Sequence, residues 1–252
     1  MLKHRVIPVL LLKDGGLVKT ERFQKPKYVG DPINAIRIFN EKEVDEIIVL
    51  DIDATRTGRA PDYALIEDFA SECFMPLTYG GGIQTIEQAE RLFSLGIEKI
   101  CLQSAALSDV SIVTQFAERF GTQAVAVSVD VRRDLFGRPK LYSAAVGKPV
   151  ARDWLEFAKS AETAGAGEIV LNAVDKDGTL SGPDLALIRE AAGQLRVPLV
   201  ALGGVSSLAD IKAAVDTGAS AVAAGAFFVF NGRHRAVLIT YPGYEELEAL
   251  LG

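Results

Sequence analysis

Two halves of the chain carry the same frame. PDYALI (61–66) is followed by the step Gly81-Gly82, and PDLALI (183–188) by the step Gly203-Gly204, with 20 residues from Pro to the first Gly both times. In each half the Gly-Gly step opens a helix-like segment, TIEQAERLFSLG or SLADIKAAVDTG, and a further strand-like run follows. A repeat this long marks a duplicated architecture rather than a shared short motif. It supplies two similar strand-to-helix turns, where bare backbone N–H groups and a helix N-terminus suit an anion. Two equivalent cradles point to a phosphorylated small molecule with a phosphate at each end.

Apolar, β-branched runs alternate with helix-period segments along nearly the whole chain. Strands are predicted at 5–12, 46–51, 76–79, 99–103, 123–130, 168–172, 198–202 and 220–224, and helices at 32–42, 61–72, 85–95, 108–120, 151–165, 184–194, 206–217 and 243–251. Eight βα units in this length are the arithmetic of an α/β (β/α)8 TIM barrel, here one domain over 1–252 with a half-barrel internal duplication. A doubly wound open sheet shares the alternation but does not predict a repeat at the half-chain. The segments after strand 1 (13–30, with Asp14-Gly15 as a hairpin-like turn) and after strand 5 (131–148) are long, and on a barrel they fall at the catalytic face.

Composition narrows the partners. The chain is 49% hydrophobic and 24% charged, with a net charge of −6, which argues against nucleic acid or an anionic membrane as the main partner. Cys73 and Cys101 lack metal-type spacing and read as buried free thiols of a cytosolic protein. The start makes a poor signal peptide, and the longest apolar run, 219–230, is too short to cross a bilayer. A cytoplasmic protein is expected, with no metal cluster and no cofactor motif.

At the C-terminal strand ends stand Leu11, Asp51, Thr78, Gln103, Asp130, Asn172 and Leu202. Asp130 closes the run AVAVSVD and is the best single acid or base; Asp51 and Asp177 are the other ionisable groups nearby. Acid–base chemistry at two substrate positions needs a second group, since one proton donor contributes about 10²–10⁴-fold. The strand-1 position across the mouth holds only VLLLK. The Gly81-Gly82 cradle is expected to act with Gln103-Ser104, and Gly203-Gly204 with Ala224-Gly225. At the opposite end Arg5, Glu46, Lys99 and Glu168 begin four strands. They are either ordinary charged strand starts or a neutral ring across the barrel floor.

IPVLLLKDGGLVK, VGDP, VLDIDA, PLTYGGGI, VDKDGT and ALGGV, in this order and spacing, resemble the cyclase subunit of imidazole glycerol phosphate synthase, the HisF family, over essentially the full chain. The resemblance implies a bisphosphate ligand and a docked HisH-like glutaminase that sends ammonia through the barrel. It implies that Arg5, Glu46, Lys99 and Glu168 form the ammonia gate, with Glu98 beside it as a partner contact. It also implies that Lys19, Phe23, Asp51 and Asp177 meet substrate, with Gln103 and Asn172 at the same mouth.

The departures lie at the mouth. Asp130 matches one of the family's two catalytic aspartates, but Leu11 stands where the other belongs. Gln103 replaces the usual asparagine, and Leu202 replaces a small hydroxyl residue before Gly203. Leu202 is expected to weaken that cradle. An intact gate with altered chemistry resembles the HisF-like proteins associated with sugar amidation, the WbuZ type, which work with a glutaminase and a separate sugar amidotransferase on surface glycans. The alternatives are an active cyclase of histidine biosynthesis, with Asp51 in place of the missing acid, that converts the bisphosphate PRFAR to imidazole glycerol phosphate and AICAR, and a phosphosugar isomerase barrel.

Overall fold

Alternation along the sequence becomes alternation in space in the computed structural model, which describes residues 4–232 and 234–252. Residues 1–3, where the signal-peptide reading begins, lie outside the described residues. Eight strands form the barrel: β1 (Arg5–Lys13), β2 (Ile47–Asp51), β3 (Leu77–Gly80), β4 (Lys99–Leu102), β5 (Val125–Arg133), β6 (Glu168–Ala173), β7 (Leu199–Leu202) and β8 (Ala221–Ala224). Each pairs in parallel with the next, and β8 pairs with β1, so the sheet closes as a (β/α)8 barrel. The strands are Val- and Ile-rich because both faces are covered.

Around it run α1 (Pro32–Glu41), α2 (Tyr63–Ala70), α3 (Ile86–Ser94), α4 (Ser111–Phe120), α5 (Trp154–Thr163), α6 (Leu185–Ala192), α7 (Leu208–Asp216) and α8 (Tyr244–Leu251). The repeat is visible in their caps. Asp62 and Asp184 each accept from the backbone N–H three residues on, at the starts of α2 and α6. Thr85 and Ser207 build matching capping boxes on α3 and α7. The sequence frame therefore encodes equivalent helix starts in the two half-barrels.

Period-2 patterning divides the core in two. Outward-facing residues pack with Phe39, Phe69, Phe116, Trp154 and Phe157 of the helices. Inward-facing Ile7, Val9, Leu11, Ile48, Cys101, Val170 and Val200 fill the barrel itself.

Several predicted boundaries move. The helix expected over 108–120 is two pieces, Ser104–Ser108 and α4, because Asp109 turns extended and its carboxylate accepts from Ser111 N at 2.9 Å. An equivalent short helix, Ala226–Val229, follows β8 inside the run read only as apolar. β5 begins two residues later than expected, after a 3-10 turn, and continues to Arg133. The helix expected at 151 starts at Trp154, where the Asp153 carboxylate takes the first free N–H groups. Both long loops become hairpins: Gly16–Glu21 and Gln24–Gly30 extend from β1 through a turn with Asp14 and Gly15 at positive φ, and Pro139–Ser143 pairs antiparallel with β5. Cys101 is buried, as expected, whereas Cys73 is only partly so, with its Sγ donating to Met75 O at 3.3 Å; both thiols are free. Among the described residues no helix is long and apolar enough to cross a membrane.

Candidate functional site

At the floor, the strand-start residues form a ring. Arg5 pairs with Glu46 and with Glu168, while Lys99 Nζ lies 3.1 Å from Glu46 and 2.8 Å from Glu168. Both carboxylates are buried, at 3% and 5% exposure, so each positive group is held by two negative ones. Burial alone lowers the Lys99 pKa, but Glu168 and Glu46 outweigh it and the net direction is up. Thr78 was expected at the mouth. It stands at the floor, donating Oγ1 to Glu46 Oε1 at 3.0 Å, because β3 runs on to Gly80 and places Thr78 near its start. Glu98 is exposed next to Lys99, beside the ring.

Above the ring the barrel interior is hydrocarbon up to the mouth. There Asp130 is 4% exposed and lines the mouth cavity. Its carboxylate accepts from Gln103 Nε2 at 2.7 Å and from Ser128 Oγ at 3.0 Å. Burial pushes its pKa up to about 7, against the hydrogen bonds of Ser128 and Asn172. Leu11, Leu50, Ile52 and Leu202 line the same cavity, of about 180 Å³. Leu11 is 8% exposed and packs in the interior cluster, so strand 1 offers no proton donor or acceptor to this space.

Asp51 is tied to local structure. Its Oδ1 accepts from the backbone N–H of Asp53 at 3.0 Å and of Ala54 at 2.9 Å, and Oδ2 lies 3.9 Å from Arg59. The other expected carboxylate, Asp177, anchors the first hairpin: it accepts from Thr20 Oγ1 at 2.9 Å and Phe23 N at 3.4 Å, and its carbonyl takes Arg22 N at 2.9 Å. The hairpin thus lies across the mouth, with Phe23 packed against Tyr142 at 6.1 Å between ring centroids. Gly178 permits this approach, since a Cβ there meets Thr20 O at 2.1 Å. Lys19 is carried inward to 5% exposure, and burial pushes its pKa down to about 8 against the pull of Asp177.

The Gly-Gly steps line the cavity on opposite halves of the barrel. Their glycines are demanded by neighbouring loops: a Cβ on Gly81 meets Asp51 O at 2.4 Å, and one on Gly204 meets Gly182 O at 2.2 Å. The helices they open have capping boxes, whereas the short helices at Ser104 and Ala226 carry no side-chain cap, so their first N–H groups are the uncommitted ones beside the cavity. Ser104 and Gly225 line the same cavity as the two Gly-Gly steps. Lys19 Nζ reaches 1.7 Å from where a Gly225 Cβ would lie, so a side chain there would displace the lysine head from this position. Sequence reasoning missed Ser128, Tyr142 and Leu50. Strand alternation back from Asp130 was a signal for Ser128; the hairpin fold that brings Tyr142 in had none. Among the described residues no cluster of three His, Cys, Asp or Glu groups suits a metal.

This arrangement agrees with comparisons to known proteins. The family of histidine biosynthesis proteins matches residues 5–234. The chain is 53% identical to the "Putative imidazole glycerol phosphate synthase subunit hisF2" of Pseudomonas aeruginosa, over 98% of this chain and 99% of that one. It is 49% identical to the protein named in the same way as hisF3 in Vibrio vulnificus, over 100% of this chain and 97% of the relative. It is 38% identical to the imidazole glycerol phosphate synthase subunit HisF of Exiguobacterium sibiricum, over 90% and 91%. With the barrel, the ring and the mouth in place, the chain belongs to the histidine biosynthesis protein family as a HisF-like subunit.

Proposed function

We propose that this barrel is the ammonia-receiving subunit of a glutamine amidotransferase whose product is not the imidazole of histidine biosynthesis. A HisH-like glutaminase docks at the floor, ammonia passes the ring of Arg5, Glu46, Lys99 and Glu168, and the mouth hands it to an acceptor activated by a separate ATP-using enzyme. An amidated sugar of a surface glycan is the acceptor class, and the complex works in the cytoplasm. The observation that carries this reading is Leu11: a complete ring leads to a mouth where Asp130 has no carboxylate partner on strand 1. A phosphorylated ligand at the uncapped short helices, with Lys19 as its cation, completes the mouth. The numbered names hisF2 and hisF3 of two similar relatives fit a HisF beside the histidine-pathway one.

Asp51 as a substitute acid is disfavoured, because its Oδ1 is committed to two backbone N–H groups. Complementation of a histidine auxotroph lacking its cyclase subunit tests the proposal. The expected result is no growth without histidine, with glutamine-dependent sugar amidation restored in a strain lacking this gene. Growth at the normal rate overturns it.

A further inference from the structure

Glu168, Val170 and Asn172 share one face of β6, so all three side chains point into the barrel. Asn172 is 6% exposed and lines the mouth cavity, yet its Oδ1 has no hydrogen-bond partner among the described residues. A buried acceptor left unmade costs about 1–3 kcal/mol, and native folds keep one where a ligand or water completes it. Strand register places Asn172 directly beside Asp130. Asp130 already accepts from Gln103 and Ser128, so these two neighbours bring acceptors to the cavity while Leu11, Leu50 and Leu202 bring only hydrocarbon. A hard cation such as Ca²⁺ or Mg²⁺ takes about six or more oxygens, which this corner lacks. A sugar hydroxyl brings one donor, and its two lone pairs would face hydrocarbon. The species that matches is small, cationic and all donor, which is ammonium.

We infer that Asp130 and Asn172 form an ammonium-holding site at the top of the barrel, where Asp130 takes one proton and releases neutral ammonia. The step balances: an N–H bond of ammonium breaks, its electron pair stays on nitrogen as the nucleophilic lone pair, and an O–H bond forms on the Asp130 carboxylate. This deepens the conduit reading and rests on it for the ammonia, which crosses the hydrocarbon interior neutral, takes the proton of the protonated Asp130 carboxyl to give the held ammonium, and returns that proton on release. The raised proton affinity of Asp130, near pH 7, suits the exchange. Lys19, Asp51, Arg56 and Asp177 are the other charged groups on this cavity, and Cys101 below has its thiol pushed up to about 12 by burial.

The test is a ¹³C titration of the Asp130 carboxyl in the intact chain, assigned with Asp130→Asn, at equal ionic strength in sodium, ammonium and tetramethylammonium chloride. Ammonium should lower the Asp130 midpoint by about one pH unit at tenfold over its Kd, and the other two salts should leave it in place. Asn172→Leu, checked for a cooperative melt, should shrink the ammonium effect. Coincident titrations in all three salts overturn the site, and so does an equal shift in each. Since no glutaminase is present, the outcome is separable from the conduit reading. Coincident curves with intact glutaminase coupling discard the holding site alone, and a shift without coupling discards the conduit.

Discussion

Gln103 donates one side-chain nitrogen to two oxygens, Asp130 Oδ2 at 2.7 Å and Tyr142 O at 3.0 Å. The Asp130 carboxylate is thereby fastened to the hairpin that rises over the mouth. Residues from β4, β5 and the Pro139–Ser143 strand meet at this point, and the β1 side opposite is leucine. The chemistry available there is that of a single buried acid held by neutral donors.

That acid has a signature in stability. Its folded pKa, about 7, lies above the ordinary carboxylate value, so between about pH 4 and 7 the folded state binds the extra proton. Stability from Asp130 is present at the acidic end and is lost as pH rises through that window, on the order of 1.4 kcal/mol per unit. Carboxylates with lowered pKa, such as Glu72 and Asp134, act in the opposite sense. The difference between wild type and Asp130→Asn in urea denaturation from pH 4 to 8 isolates the Asp130 slope. A flat difference contradicts it.

Lys99→Ala leaves Glu46 and Glu168 buried with Arg5 as their one cation. Breaking a buried ion pair costs about 3–5 kcal/mol, and equilibrium unfolding should show a loss of that size. In the complex with a glutaminase, the same variant should release ammonia to bulk solvent, read as glutamine hydrolysis without matching amidation. Preserved coupling removes the ring from the ammonia path.

The same burial that defines the floor also decides how legible the site was. Arg5, Glu46, Lys99 and Glu168 were readable as charged strand starts at one level, but spacing left a ring and ordinary strand starts both open, and the family resemblance pointed to the ring. The repeated frame revealed the half-barrels because it encodes caps, Asp62 with Asp184 and Thr85 with Ser207. Thr78 was misplaced because a strand's last residue depends on pairing with its neighbours, and β3 extends through Tyr79 and Gly80. The Tyr142 and Phe23 contacts were not readable, since they join loops far apart in sequence through tertiary packing alone.

Lys19 predicts how anions respond to pH. Its pKa of about 8 means that the free protein loses this charge as pH rises past that point. Affinity for inorganic phosphate should therefore fall above pH 8, by up to about tenfold per unit. Calorimetric titration at pH 7 and 9 checks this, and Lys19→Met should bind weakly at both. Equal affinities in the wild type contradict the assignment.

Gly178→Ala tests the closed hairpin. The position has φ of +69°, and the added methyl meets Thr20 O at 2.1 Å. Relief requires the Gly16–Gly30 hairpin to lift, at about 1–3 kcal/mol of backbone strain otherwise. Trypsin cleavage at Arg22 and Lys27 should then accelerate several-fold while the barrel's melting transition persists. Unchanged cleavage shows that the hairpin does not depend on this approach.

The most direct measurement is cyclase turnover of the purified chain with the histidine-pathway bisphosphate and saturating free ammonium, beside its Leu11→Asp variant. Free ammonium bypasses the glutaminase and isolates the mouth. The account predicts wild-type turnover at least 10²-fold below that of Leu11→Asp, the scale of one missing proton-transfer group. Robust wild-type turnover, unimproved by the aspartate, contradicts it.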